Sequence, residues 1–150
     1  MIEYNISPSP LRNTGGVNVP VPRYLEYEAP SAACTGAITT SSGWRIVRVG
    51  DVVTLMLPAV TGTASAVDSF VFGSLVPSNF RSLLASGNEV IWPIQVLDGG
   101  VSQAAPGGLV VNMSSGSITV YKVLGGAGTF TAAFSSGLGL GTAVSWLMRD

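Results

Sequence analysis

From Trp44 to Pro58 the chain reads Trp-Arg-Ile-Val-Arg-Val-Gly-Asp-Val-Val-Thr-Leu-Met-Leu-Pro, two β-rich runs separated by Gly50-Asp51. Glycine at the first central position of a two-residue loop suits a type II′ turn, whose twist matches antiparallel strands. With Val49 opposite Val52, the period-2 alternation puts Trp44, Ile46, Arg48, Val53, Leu55 and Leu57 on one face. Arg45, Val47, Val49, Val52, Thr54 and Met56 form the other. The first is a core face, with Arg48 expected at its rim beside an acid. The second is also mostly apolar, which a sheet open to water on that side does not require.

The same pattern of short alternating runs recurs from Gly36 to the C-terminus. Strands are expected over 36–40, 69–75 with Gly73 as a bulge, 89–97, 109–113 paired with 118–124, 129–135 and 143–148. Pro93 inside the 89–97 run marks an edge strand or a bulge. Residues 61–68 are small and polar and read as a loop, and Asp98-Gly99-Gly100 as a turn. Ser78 is placed to cap a single helical turn over 79–84. Eight or nine short strands at regular spacing without a long helix predict an all-β fold, an antiparallel β-sandwich of jelly-roll-like type.

Residues 1–35 break the pattern. Five of the nine prolines lie here (Pro8, Pro10, Pro20, Pro22 and Pro30), with Gly15-Gly16 between them. Proline at this density disfavours a central strand. Only 24–28 alternates weakly. The expected organisation is an extended Pro-rich N-terminal arm over 1–35 and a β-sandwich domain over 36–150.

Composition sharpens the question of the second apolar face. Charged residues make up 10 % of the chain, against about 25 % in an ordinary soluble domain. That paucity suggests that much of the surface is covered, most simply by further copies of the chain. A net charge of −1 gives no electrostatic case for nucleic acid or an anionic membrane. The uncharged run 123–148 is interrupted throughout by Gly, Ser and Thr, so no membrane insertion is expected. Met1–Asn5 lacks the features of a secretory leader.

Candidate chemistry is sparse. The absence of histidine removes Ser-His-Asp and Cys-His pairs and histidine metal sites. Cys34 is the single cysteine and cannot form an internal disulfide. Asp68 and Asp98 are the one carboxylate pair that could meet across two loops, as in a glycosidase, but turn roles explain both. No catalytic residue, metal ligand or cofactor is assigned, and the chain is not expected to be an enzyme. Gly137, Gly139 and Gly141 lack the Lys-Ser/Thr of a phosphate loop. Among the tryptophans, Trp44 and Trp146 read as core. Trp92, beside Pro93 on an expected edge, is the one placed to meet a ligand or partner.

Four phrases in order resemble the small β domains that end phage tail fibres and other virion fibres. They are Arg48-Val-Gly-Asp-Val-Val-Thr-Leu55, Leu75-Val-Pro-Ser-Asn-Phe-Arg81, Gly116-Ser-Ile-Thr-Val-Tyr121, and Ser136-Gly137 followed by Val144-Ser-Trp-Leu147. Val76 and Ser82 depart from the usual second phrase, which has no residue between Leu and Pro and has proline after Phe-Arg. The resemblance covers about residues 43–148 and leaves the arm out.

What this resemblance implies is a homotrimeric head on the exterior of a virion that binds a host-surface receptor, a glycan or a protein. Receptor contacts are expected on the loops 61–68, 98–107 and 125–128, with Trp92, Asp98 and Gln103 as candidate residues. Val47, Val49, Val52 and Met56 are then expected at the trimer interface, and residues 1–35 against other virion proteins. The alternative is a capsid head-fibre or decoration protein held by its arm, with no receptor role.

Overall fold

The structure, a computed structural model, describes residues 3–5, 12–14, 17–19, 24–29, 32–35, 40–41, 43–58, 60–62, 67–82, 89–99, 101–131, 134–136 and 143–148. Its strands in chain order are β1 (Glu3–Asn5), β2 (Arg12–Thr14), β3 (Val17–Val19), β4 (Tyr24–Ala29), β5 (Ala32–Thr35), β6 (Thr40–Ser41), β7 (Trp44–Val49), β8 (Val52–Met56) and β9 (Val60–Gly62). They continue with β10 (Ser69–Phe72), β11 (Glu89–Ile94), β12 (Leu97–Asp98), β13 (Val101–Ser102), β14 (Gly107–Asn112), β15 (Ile118–Tyr121), β16 (Phe134–Ser136) and β17 (Ala143–Leu147).

Two antiparallel sheets make the sandwich. The first has the order β1-β4-β7-β8-β17 and the second β11-β14-β15-β10-β5-β6. A smaller sheet, β13-β12-β16-β9, and the β2-β3 hairpin complete the described strands. The β7-β8 hairpin has the expected register, with Val49 opposite Val52, Arg48 opposite Val53 and Ile46 opposite Leu55. Gly50 has φ +59°, as the first central position of the turn requires. Alternation then separates the faces as expected. Trp44, Ile46, Val53 and Leu55 are fully buried, while Val49, Val52 and Met56 are exposed.

The core lies between the two sheets. Trp44 of β7 meets Phe72 of β10 with ring centroids 4.9 Å apart. Trp146 of β17 meets Trp92 of β11 at 5.9 Å. Phe70 extends the aromatic cluster to Phe130 at 5.4 Å. Leu109, Val111, Ile118 and Val120 fill the inner side of β14 and β15. Burying each such side chain contributes about 1.5–3 kcal/mol relative to leaving it in water.

Several expectations are corrected. The boundary at 35/36 falls inside the sandwich. β4 pairs along its whole length with β7, with Leu25 and Ala29 in the core, and β5 pairs with β10. The prolines do not prevent this, because none lies within 24–29 or 32–35. Within the expected arm, Val17–Val19 pairs with Arg12–Thr14. Of the expected 61–68 loop, Thr61 and Gly62 belong to β9, which pairs with β16. The 69–75 strand ends at Phe72, and Gly73-Ser74 turns the chain, with Ser74 at φ +44°. The expected helical turn is one 3-10 turn over Ser78–Phe80, and Ser78 lies within it and makes no capping bond. Arg48 has backbone carbonyls as partners, not an acid: Nε donates to Gly50 O at 2.8 Å and Nη1 to Asn79 O at 3.3 Å. Residues 36–39 and 137–142 lie outside the described residues, and at Cys34 only the backbone is described.

Candidate functional site

The outer face of the first sheet can be read directly from its register. Tyr24, Val49, Val52 and Leu147 lie side by side across β4, β7, β8 and β17. The next row is Glu26, Val47, Thr54 and Ser145, and the third is Glu28, Arg45, Met56 and Ala143. The first row is apolar throughout, and its Val49, Val52 and Leu147 are 48 %, 44 % and 51 % exposed. Five polar side chains on this face are paired laterally. Thr54 Oγ1 and Ser145 Oγ are 2.9 Å apart, Tyr24 donates to Glu26 at 2.7 Å, and Arg45 donates to Glu26. The bonds from Arg45 and Tyr24 hold the Glu26 carboxyl below its ordinary pKa. This lateral pairing lowers the number of donors and acceptors that a covering surface would strand. The four residues expected at an interface thus share one outward face. Tyr24 and Leu147 join them, both missed from the sequence, although Leu147 follows from the alternation of Val144, Trp146 and Met148.

All four sequence phrases meet at one place. Val76 N donates to Gly116 O at 2.9 Å, joining the second phrase to the third. Arg81 Nε donates to Val76 O and its Nη1 to Ser114 O, both at 2.7 Å. Trp146 Nε1 donates to Phe80 O at 2.8 Å in a buried bond, bringing in the fourth phrase. Arg48 reaches the same 3-10 turn through Asn79 O, so the first hairpin contributes as well. Gly116 has φ +75°, and a Cβ there would lie 2.2 Å from Val76 O. Phe-Arg, Gly and Trp in these phrases are therefore parts of one bonded junction that closes the sandwich, not contacts for a ligand.

The three residues expected at a receptor stand in different settings. Trp92 points inward against Trp146, while its neighbour Ile91 faces out at 54 % exposure. Its strand β11 is the edge of the second sheet, as Pro93 suggests. Asp98 is buried and ion-paired with Lys122 at 2.7 Å. It also accepts bonds from Thr131 N and Oγ1. Burial pushes the Asp98 carboxyl up, but the bonds from Lys122 and Thr131 outweigh it and leave the pKa below the ordinary value. Asp98 holds the loop after β15 to β12, while Asp68 accepts from Ser69 Oγ and, through its carbonyl, from Lys122 N. Gln103 Nε2 donates to Val101 O at 2.9 Å, and the side chain stays half-buried in its loop. Among the described residues, no three of His, Cys, Asp and Glu come together to hold a metal ion.

A groove of about 420 Å³ lies on the outer face of the second sheet. Gly108 and Val110 of β14 and Tyr121 of β15 face outward there, with Ile91 and Glu89 of β11 beside them. Leu124, Gly125 and Gly126 form its wall. Of its lining, the sequence points only to Gly125 and Gly126 in the 125–128 loop, because the groove exists only once β14 is paired so that Gly108 faces Tyr121.

No family model matches this chain, and no curated protein matches it. Among solved structures, the distal domain of the mouse adenovirus 2 fibre is similar at a TM-score of 0.48 and 14 % identity, over 96 % of this chain and 86 % of that one.

Proposed function

We propose that this chain is the subunit of a homotrimeric, jelly-roll-like head on the exterior of a virion, of the phage fibre or tail kind. The head binds a host-surface receptor, a glycan or a protein, and has no catalytic role and no cofactor. The observation that carries the proposal is the outward apolar row Tyr24, Val49, Val52 and Leu147, with Met56 nearby, on a face where Tyr24 and Arg45 bond Glu26 and Thr54 pairs with Ser145. Closed cyclic assembly removes such a face from water in every copy. The ordered phrases between residues 43 and 148 support the virion assignment. Contact with other virion proteins falls to the residues ahead of Tyr24, where the β2-β3 hairpin forms a sheet of its own.

Light scattering after size exclusion should give three times the chain mass of 15.4 kDa. Purified protein should then bind host cells and compete with virion adsorption. A protein that binds empty capsids and leaves adsorption unchanged is a decoration protein, and that result would remove the receptor role.

A further inference from the structure

We infer that the groove on the outer face of the second sheet binds an uncharged saccharide. This rests on the head reading above and names the site and ligand class that it lacks. The first argument is position. The groove residues of β11, β14 and β15 alternate with core residues and face away from the first sheet. An assembly built on the Val49–Val52–Leu147 side leaves the opposite side of the sandwich turned outward.

The second argument is construction. Gly108 sits directly opposite Tyr121, where a Cβ would meet Leu124 Cδ1 at 3.2 Å. The missing side chain lets the turn after β15 fold down, fixed by Leu124 N donating to Pro106 O at 2.8 Å. Gly125 and Gly126 have φ +97° and +82°, so the turn passes beside Tyr121 without side chains of its own. A Cβ at Gly126 would lie 3.8 Å from Tyr121 Cε1, and one at Gly125 would meet nothing within 4 Å. Lys122, just before this turn, is anchored by Asp98 and by Thr129 O at 2.6 Å. The wall is held in place from behind. The resulting volume of about 420 Å³ is within the range of small-ligand sites, about 300–1,000 Å³.

The third argument is chemistry. Ile91, Leu124 and the Tyr121 ring give an apolar surface, and Glu89 is the one charged lining residue. The described hydrogen bond of Glu89, from Asn112 Nδ2 at 3.4 Å, is long and leaves the carboxylate with accepting capacity. A pyranose presents a C–H face to such a surface and hydroxyl donors to such a carboxylate. An acidic sugar would bring a second negative charge to Glu89 with no lining cation to offset it. A purely apolar side chain would desolvate Glu89 without giving it a partner.

The test is ligand-observed NMR and titration calorimetry on the full chain. The probes are glucose, galactose, mannose, N-acetylglucosamine, rhamnose and their common disaccharides, with sialyllactose as the anionic probe. At least one neutral sugar should bind saturably. Glu89→Gln and Tyr121→Leu should each weaken it tenfold or more at unchanged oligomer mass. Glu89 is exposed, so its variant remains informative if Tyr121→Leu does not fold. The inference is overturned if no neutral sugar saturates, if Glu89→Gln binds as tightly as the parent, or if sialyllactose binds best. If wild-type protein is trimeric and competes with adsorption while Glu89→Gln competes equally well, the groove fails and the head reading stands. A protein that binds neutral sugar through the groove but is monomeric retains the site and loses the head reading.

Discussion

Replacing Gly116 with alanine tests whether the shared sequence phrases form a structural junction. Two costs can be worked from the geometry. Gly116 has φ +75°, a conformation that costs an alanine about 1–2 kcal/mol. The new Cβ would also lie 2.2 Å from Val76 O and 2.6 Å from Arg81 Nη2, distances that cannot be kept. Relief has to move backbone, because Val76 O is main chain. That movement strains the bonds from Val76 N to Gly116 O and from Arg81 Nε to Val76 O. Each is worth about 0.5–1.5 kcal/mol, and more where a buried group is left unpaired. The expected loss is about 3–4 kcal/mol, a large part of the 5–15 kcal/mol that holds a typical domain together. Gly125 supplies the control. Its φ is +97°, but a Cβ there meets nothing within 4 Å, so Gly125→Ala pays only the conformational cost of about 1–2 kcal/mol. Gly73 has neither a positive φ nor a near neighbour, and Gly73→Ala should be neutral or slightly stabilising. Guanidinium unfolding followed by tryptophan fluorescence, at one fixed protein concentration, ranks the three variants. If Gly116→Ala proves no less stable than Gly125→Ala, the junction does not constrain the fold and the steric reasoning is wrong.

Three further outcomes are expected. Trp146→Phe removes the donor to Phe80 O and part of the contact with Trp92, and should cost about 2–4 kcal/mol in the same assay. Asp98→Asn should destabilise the protein at neutral pH by about 2–4 kcal/mol, because it leaves the mostly buried Lys122 ammonium without its counter-charge. The Asp98 carboxyl has a lowered pKa in the folded state, so its stabilisation is present above the unfolded value near 3.9 and is lost as pH falls through the folded value. Melting temperatures of wild type and Asp98→Asn should therefore converge below about pH 4. A constant difference down to pH 2.5 would mean that the pair is not the source of the effect.

The legible parts of this fold are those set by local period and turn chemistry. In the Trp44–Pro58 hairpin, a strict period of two around one glycine determined register, buried face and exposed face together. Pro93 marked an edge strand because its missing N–H is tolerated there. The strand Tyr24–Ala29 was harder to see. Its inward residues Leu25, Tyr27 and Ala29 alternate with Tyr24, Glu26 and Glu28, but prolines at 20, 22 and 30 bracket the run and suggested an arm. A proline constrains its own position and says nothing about the seven residues between Pro22 and Pro30. The anchoring role of Asp98 is hidden for a related reason. Asp-Gly-Gly is turn chemistry locally, and its partner Lys122 is brought to it only by tertiary folding. Lys122 being the only lysine in the chain was the available hint. Trp92 faces inward because it alternates with the exposed Ile91, a parity that Pro93 at the edge does not change. The groove depends on Gly108 facing Tyr121 across two strands, which no single segment records.

Assembly through the outer face of the first sheet is tested most directly by the mass of Val49→Lys beside that of the wild type. Val49 is 48 % exposed in the single chain and stands in the row Tyr24–Val49–Val52–Leu147. A lysine there reaches water in a monomer, and surface substitutions of this kind change stability by about 0.5 kcal/mol or less. In a closed oligomer the same ammonium would be buried in an apolar contact. Light scattering should give three times the chain mass of 15.4 kDa for the wild type and one chain mass for Val49→Lys, with unchanged far-ultraviolet circular dichroism. A monomeric wild type, or a Val49→Lys trimer as stable as its parent, would contradict the assignment of this face.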